Sequence, residues 1–270
     1  MLVLYSLVGF ILPLTCRLKD KWVFLLACVL LIQPLPLYYV IRACLDPSFI
    51  TPAIPTRSFW DATFAVQSHG SFLETVRVNL WEGQIASLAW AWDHGRVFQT
   101  AALFLLGMLI GRRGLFQKEN LKVWNKILAG ALIAFFPLYG LGNMLPAFIV
   151  NKSILTPLSL IITSLSNFSF MLVLVSGVIF AFYNTNMHYL LMKITPYGKM
   201  SLTNYITQSI VGSMLYYNWG FALHNQCGIT VSCLAGIAFF ILQFTFCRWW
   251  MSHHSHGPME YIWKRATWLK

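Results

Sequence analysis

At 58% hydrophobic and only 10% charged, with a mean hydropathy of +0.65, this 270-residue chain is not a soluble globular enzyme, whose charged share is about 25%. The net charge of +11 would suit a nucleic-acid partner. Its Lys and Arg residues instead form short clusters flanking apolar runs, the orientation signal of a multi-pass membrane protein in a lipid bilayer, which argues against nucleic acid.

Taken in order, the first apolar run covers residues 1–16. It has no basic leader or small-residue cleavage site. At about 16 residues, roughly 24 Å as a helix, it is short for a hydrocarbon core of about 30 Å and looks clipped. Arg17, Lys19 and Lys21 form a basic loop before a second span over residues 22–43, where Gln33, Pro34 and Pro36 should kink the helix or line a cavity. Residues 45–95 do not read as spanning. Pro47, Pro52 and Pro55 mark turns, then Phe72, Leu73, Val76, Leu80 and Leu88 keep helical spacing, with Trp60, Trp81, Trp90 and Trp92 nearby. That pattern predicts an extracytoplasmic insertion of short interfacial helices, or a lid over a cavity.

Asp93, His94 and Arg96 follow as a charged triplet at the mouth of the third span, residues 96–110. They are candidates for substrate contact or proton transfer, although ionisable residues at span ends are commonly just solvated. Arg112, Arg113, Lys118, Lys122 and Lys126 precede a fourth span, residues 127–150, where Pro137, Gly140, Gly142, Asn143 and Pro146 predict a bend or break. The fifth span, residues 155–183, carries the polar stripe Thr163, Ser164, Ser166, Asn167 and Ser169. Residues 184–199 read as a basic loop.

The sixth span, residues 200–223, puts Ser201, Asn204, Tyr205, Gln208 and Gly212 on one helical face. Asn204 and Gln208 are candidates for substrate binding or a passage, with Ser201 and Tyr205 beside them. The alternative is interhelical hydrogen bonding. Gly198 and Lys199 at its entry could receive phosphates at a helix N-terminus, or serve as an ordinary basic anchor. A seventh span, residues 228–247, contains Gln243. The tail holds His253, His254 and His256, a polar cluster without the partners of a metal site. It closes on an interfacial helix with Met259, Ile262, Trp263 and Ala266 on one face; a salt bridge to a basic loop is the plain reading of Glu260.

On alternate sides of the spans, 14 of the 19 Lys and Arg fall together, from Arg17 to Lys270. Arg42, Arg57, Arg77 and Lys152 fall opposite, with Arg96 at the border. The positive-inside rule then places the C-terminus in the cytoplasm and residues 45–95 outside. The expected fold is all-α: a polytopic transmembrane helix bundle of about seven spans in a single domain, with no internal repeat. The six cysteines have no CxxC pair and read as small apolar packing residues, with a Cys44–Cys227 disulfide at the outer face left open.

PYGKMSLTNYITQS at residues 196–209 and GPMEYIWKRATW at residues 257–268 resemble the C-terminal signature of the YeiB-type family of bacterial inner-membrane proteins, domain of unknown function 418. FLLGMLIGRRGLF and LVLYSLVGFILPL resemble its middle portion. The resemblance implies an upstream Asp-x-x-Arg-Gly run and further spans, so that Met1 would be an internal methionine of a truncated form. More distantly, the family resembles membrane acyltransferases of the heparan glucosaminide acetyltransferase type. That likeness implies acyl transfer from acyl-CoA to an envelope carbohydrate, with a His base, Gly198 and Lys199 near the coenzyme phosphates, and an inactive short form if the family's histidine lies upstream. A small-molecule transporter and a non-catalytic membrane subunit are the alternatives.

Overall fold

The computed structural model describes residues 2–46, 48–52 and 56–268, and among these every regular element is helical, as expected. The α-helices are α1 (Leu2–Gly9), α2 (Ile11–Thr15), α3 (Asp20–Leu31), α4 (Pro34–Leu45), α5 (Thr56–His69), α6 (Phe72–Leu80), α7 (Glu82–Asp93), α8 (Arg96–Arg112), α9 (Leu121–Phe148), α10 (Lys152–Tyr183), α11 (Thr185–Lys199), α12 (Ser201–Tyr216), α13 (Ile229–His253) and α14 (Pro258–Thr267). They group into two compact units: residues up to Trp60 with Glu82–Tyr183, and Asp61–Trp81 with residues from Asn184 onward.

Three helices, Lys118–Phe148, Lys152–Tyr183 and Ile229–His253, are long and apolar enough to cross a membrane, and the count reaches 5 if two bent pairs each form one span. Many of their large apolar side chains, such as Ile133, Phe136 and Phe148 on α9 and Leu234 and Leu242 on α13, are more than half exposed. A helix that is apolar all round suits lipid rather than water. Two of the seven expected spans do not reach this length. The apolar helix at Val3–Thr15 is short, and the 16 residues of α12 rise about 24 Å against a core of about 30 Å.

In the first unit, α3 packs on α8 through Val23, Ala27, Leu105 and Leu109, while α4 and α9 pack on α10. One end of the α3–α8 pair is tied by Asp20, which accepts from Arg113 Nε at 3.0 Å and Arg112 Nη1 at 3.3 Å. At the other end both chains break. Gln33 takes a left-handed φ of 61° between α3 and α4, which diverge by 51°; Gly95, at φ 63°, separates α7 from α8, which diverge by 77°. Pro34 explains the first break, since it supplies no N–H to continue α3 and suits the first turn of α4. Glycine suits the second because a left-handed residue without Cβ is unstrained.

Of the bend or break expected in the fourth span, the break is absent, and a second expectation, a basic loop, is corrected. Helix α9 runs unbroken for 28 residues through Pro137 and Pro146, each proline removing one donor from a long ladder. Residues 184–199 form helix α11 rather than a loop, started by Asn184, whose Oδ1 accepts from the N–H groups of Asn186 at 3.1 Å and Met187 at 3.4 Å.

In the second unit α11 packs on α13, and α12 on α14. Phe72 at the start of α6 meets Trp219 edge-on at 5.0 Å, and Asn218 N–H donates to Gln67 O at 3.0 Å. All six cysteines are free thiols, Cys44 and Cys227 included. Pro47 and Pro55 lie outside the described residues.

Candidate functional site

Where α3–α4 and α7–α8 break, their polar groups need partners, and α10 supplies them. Gln33 is fully buried. Its Nε2 donates to Gly95 O and to Ser164 Oγ, each at 3.0 Å, while its Oε1 has no partner among the described residues. Gln99 on α8 donates to Ser164 O at 3.4 Å and accepts from Arg96 Nη1 at 2.9 Å. A Cβ on Gly95 would collide with the Gln33 amide and Leu160, so close approach as well as left-handed backbone demands glycine there.

Above this junction the first unit opens a cavity of about 770 Å³. It is lined by Tyr39 and Pro36 of α4, Trp92 and Asp93 of α7, His94, Arg96 and Gln99, and the α10 face bearing Lys152, Thr156, Thr163, Ser164 and Asn167. The polar stripe of the fifth span thus resolves: Thr163, Ser164 and Asn167 line the cavity, whereas buried Ser169 returns its hydroxyl to Leu165 O at 2.9 Å. Asp93 accepts the Thr56 hydroxyl. His94 stacks on Trp90, ring centroids 4.7 Å apart, and its Nδ1 lies 2.9 Å from Trp90 O.

Asn204 and Gln208 lie in the second unit, where the structure joins them to groups that the sequence did not connect. Asn204 is buried; its Nδ2 donates to Tyr197 O at 3.0 Å and its Oδ1 accepts from Cys247 Sγ at 3.2 Å. Gln208 Nε2 donates to Gln243 Oε1 at 2.9 Å and to Tyr197 Oη at 3.0 Å, and Gln243 Nε2 returns to Asn204 O at 3.3 Å. Ser201 and Tyr205 are exposed, so the face shared on the helical wheel is only partly turned inward. The interior amide Gln243 was the one available signal of this network.

Gly198 and Lys199 occupy the last turn of α11. At the N-terminus of α12 that follows, the N–H groups of Leu202 and Thr203 donate to Glu260 Oε1 at 2.7 and 3.0 Å, and Thr203 Oγ1 donates to Glu260 Oε2 at 2.5 Å. The same Thr203 hydroxyl accepts from Met259 N–H at 3.1 Å, so α12 and α14 cap each other. This reciprocal cap takes the place of the salt bridge expected for Glu260. Burial raises the Glu260 pKa, but the bonds from Thr203 and Leu202 outweigh it and hold the carboxyl below its ordinary value. Of the tail histidines, His254 stacks on Trp250 at 4.1 Å and His256 Nε2 lies 3.2 Å from Lys264 Nζ.

With this geometry in view, the comparisons narrow the kin of the chain. The family model described as "Protein of unknown function (DUF418)" matches residues 110–270. Uncharacterized protein YxaH of Bacillus subtilis (strain 168) is 30% identical over 95 residues, which is 35% of this chain and 24% of that protein. Uncharacterized protein YeiB of Escherichia coli (strain K12) is 29% identical over 83 residues, 29% of this chain and 20% of that protein. The match therefore spans well under two thirds of either relative. No solved structure matches the chain.

Proposed function

The chain belongs to the DUF418 family, and from that premise we propose that it is a multi-pass inner-membrane protein, C-terminus in the cytoplasm, that transfers an acyl group from acyl-CoA to a hydroxyl of an envelope carbohydrate held in the first unit's cavity. The observation that carries this reading is the contact of His94 Nδ1 with Trp90 O at 2.9 Å. A carbonyl only accepts, so Nδ1 carries the proton and Nε2 of the neutral ring is the basic nitrogen.

In that role Nε2 takes the proton of the acceptor hydroxyl as its oxygen attacks the thioester carbonyl. A C–O bond forms, the C–S bond breaks, and the proton leaves on the thiol of coenzyme A. Tyr39 and Trp92 offer ring faces to a sugar, and Thr156, Thr163, Ser164 and Asn167 offer hydroxyl and amide partners. In the second unit Lys199 is a separate candidate contact for the coenzyme phosphates, while the nearby N–H groups of Leu202 and Thr203 are held by Glu260. Ser201, Tyr205 and Gln208 are the exposed α12 groups for a second contact, with Asn204 fixing their helix.

Thiol release by the protein in nanodiscs, supplied with acetyl-CoA and a panel of monosaccharides, tests the reading. His94→Ala is expected to lower the rate about 10²- to 10⁴-fold. No release with any acceptor, or an undiminished rate in the variant, overturns it. The breaks at Gln33 and Gly95 favour a second reading, transport, because discontinuous helices commonly line a substrate path. Donor-independent uptake of a labelled sugar into proteoliposomes is its measurement.

A further inference from the structure

The cavity has a charge pattern that a neutral sugar would leave unanswered. Helix α10 measures its depth: Lys152 stands at the rim, and Ser164 lies about 18 Å of helix rise below it. Arg96 lines the same space with an exposed side chain, its guanidinium donating to Gln99 and lying over the Trp90 ring at 6.0 Å. An exposed guanidinium on a cavity wall can form paired hydrogen bonds to an entering carboxylate or phosphate. Among the described residues no carboxylate pairs with that charge. The Asp20 ion pairs go to Arg112 and Arg113, and neither Arg96 nor Lys152 has a carboxylate in salt-bridge reach. Asp93 also lines the cavity, but its carboxylate accepts the Thr56 hydroxyl and lies beyond that reach of Arg96. The first turn of α8 faces the same space with Arg96 and Gln99, and no side chain caps its N-terminus, so the helix dipole adds to the positive charge there.

We propose that the molecule this cavity takes is an anion: a hydroxyl-bearing carboxylate or phosphate ester, such as a sugar acid or sugar phosphate, whose charged group is the counter-ion of Arg96. This deepens the reading above and rests on it for the identity of the acceptor. Lys152 draws the anion in, and the Arg96 fork holds its oxygens in pairs. Held there, the ligand's hydroxyls face the sequence neighbour His94.

Calorimetric titration of the chain in zwitterionic nanodiscs with glucuronate, glucose 6-phosphate and glucose provides the test. At least one anion is expected to bind about tenfold or more tightly than glucose, and more weakly as salt rises. Arg96→Gln should abolish that preference, and Arg96→Lys should restore part of it. Equal affinity for all three, or an equal loss for all three in Arg96→Gln, overturns the proposal. Loss of soluble-anion binding in nanodiscs containing phosphatidylglycerol overturns it in favour of a lipid headgroup. Anion binding without thiol release removes the acyl-transfer reading and leaves this one; thiol release on glucose alone does the reverse.

Discussion

Glu260 shows how one side chain can set the join between two helices. Its carboxylate takes the place of a missing N-cap, accepting from Leu202, Thr203 N–H and the Thr203 hydroxyl, while Thr203 caps α14 in return. Hydrogen bonds to a charged acceptor contribute more than those to a neutral one, so Glu260→Gln should cost about 1 kcal/mol and Glu260→Ala about 1 to 3 kcal/mol in a reversible unfolding titration in detergent. The sign with pH follows from the depressed pKa. Above the ordinary value of 4.5 the wild-type advantage over Glu260→Gln is complete, and it shrinks as pH falls from there through the lower folded-state value. An advantage that grew on acidification would contradict the assignment. Gly257 belongs to the same device, since a Cβ there would run into the Glu260 carboxylate. Gly95 is the other residue with no substitute. Gly95→Ala meets both a left-handed φ and the buried Gln33 amide, and a loss of about 2 to 4 kcal/mol is expected by the same titration.

At the level of elements, the α12–α13 contact depends on amides whose partners are side chains and main-chain carbonyls. Gln208→Ala removes bonds at an exposed position and should cost about 0.6 kcal/mol, the average for such pairs in a membrane bundle. Gln243→Leu should cost more, because it removes a buried amide that both donates to Asn204 O and accepts from Gln208; equal losses would mean that the network is incidental. Helix breaks were legible where the chemistry is local. Pro34 and Pro36 announce the kink at Gln33, and the Thr163 to Asn167 stripe announces a polar face on α10. Other features were legible only in three dimensions. Pro137 and Pro146 carry the same local signal as Pro34, yet α9 absorbs them, since one lost bond does not end a helix buttressed along its length by α10. Glu260 and Thr203 stand 57 residues apart, and no periodicity links a carboxylate in one helix to the N-terminus of another. The cavity belongs to this class too, because α10 gives nine of its lining residues while α4, α7 and α8 each add only two or three from distant parts of the chain.

For the molecule as a whole, the decisive quantity is which side of the membrane the cavity opens on. The proposed orientation, drawn from the asymmetry of Lys and Arg, puts the Arg17, Lys19 and Lys21 cluster in the cytoplasm, and α3 with α4, if the bent pair is one span, would lead from there to the opposite face. Two native cysteines bracket that passage. Cys16 lies just before the basic cluster and Cys44 in the last turn of α4; both are exposed free thiols. In variants that keep only one of them, a membrane-impermeant maleimide added to intact spheroplasts should label Cys44 and spare Cys16, which reacts only after permeabilisation. The cavity shares the Cys44 end, because Tyr39 of α4 and Lys152 at the start of α10 line it, so this pattern opens it to the outside. The reverse pattern would place the cavity in the cytoplasm. Acyl-CoA and acceptor would then meet on one side without crossing the bilayer, and the carbohydrate would have to be a cytoplasmic precursor rather than an envelope component.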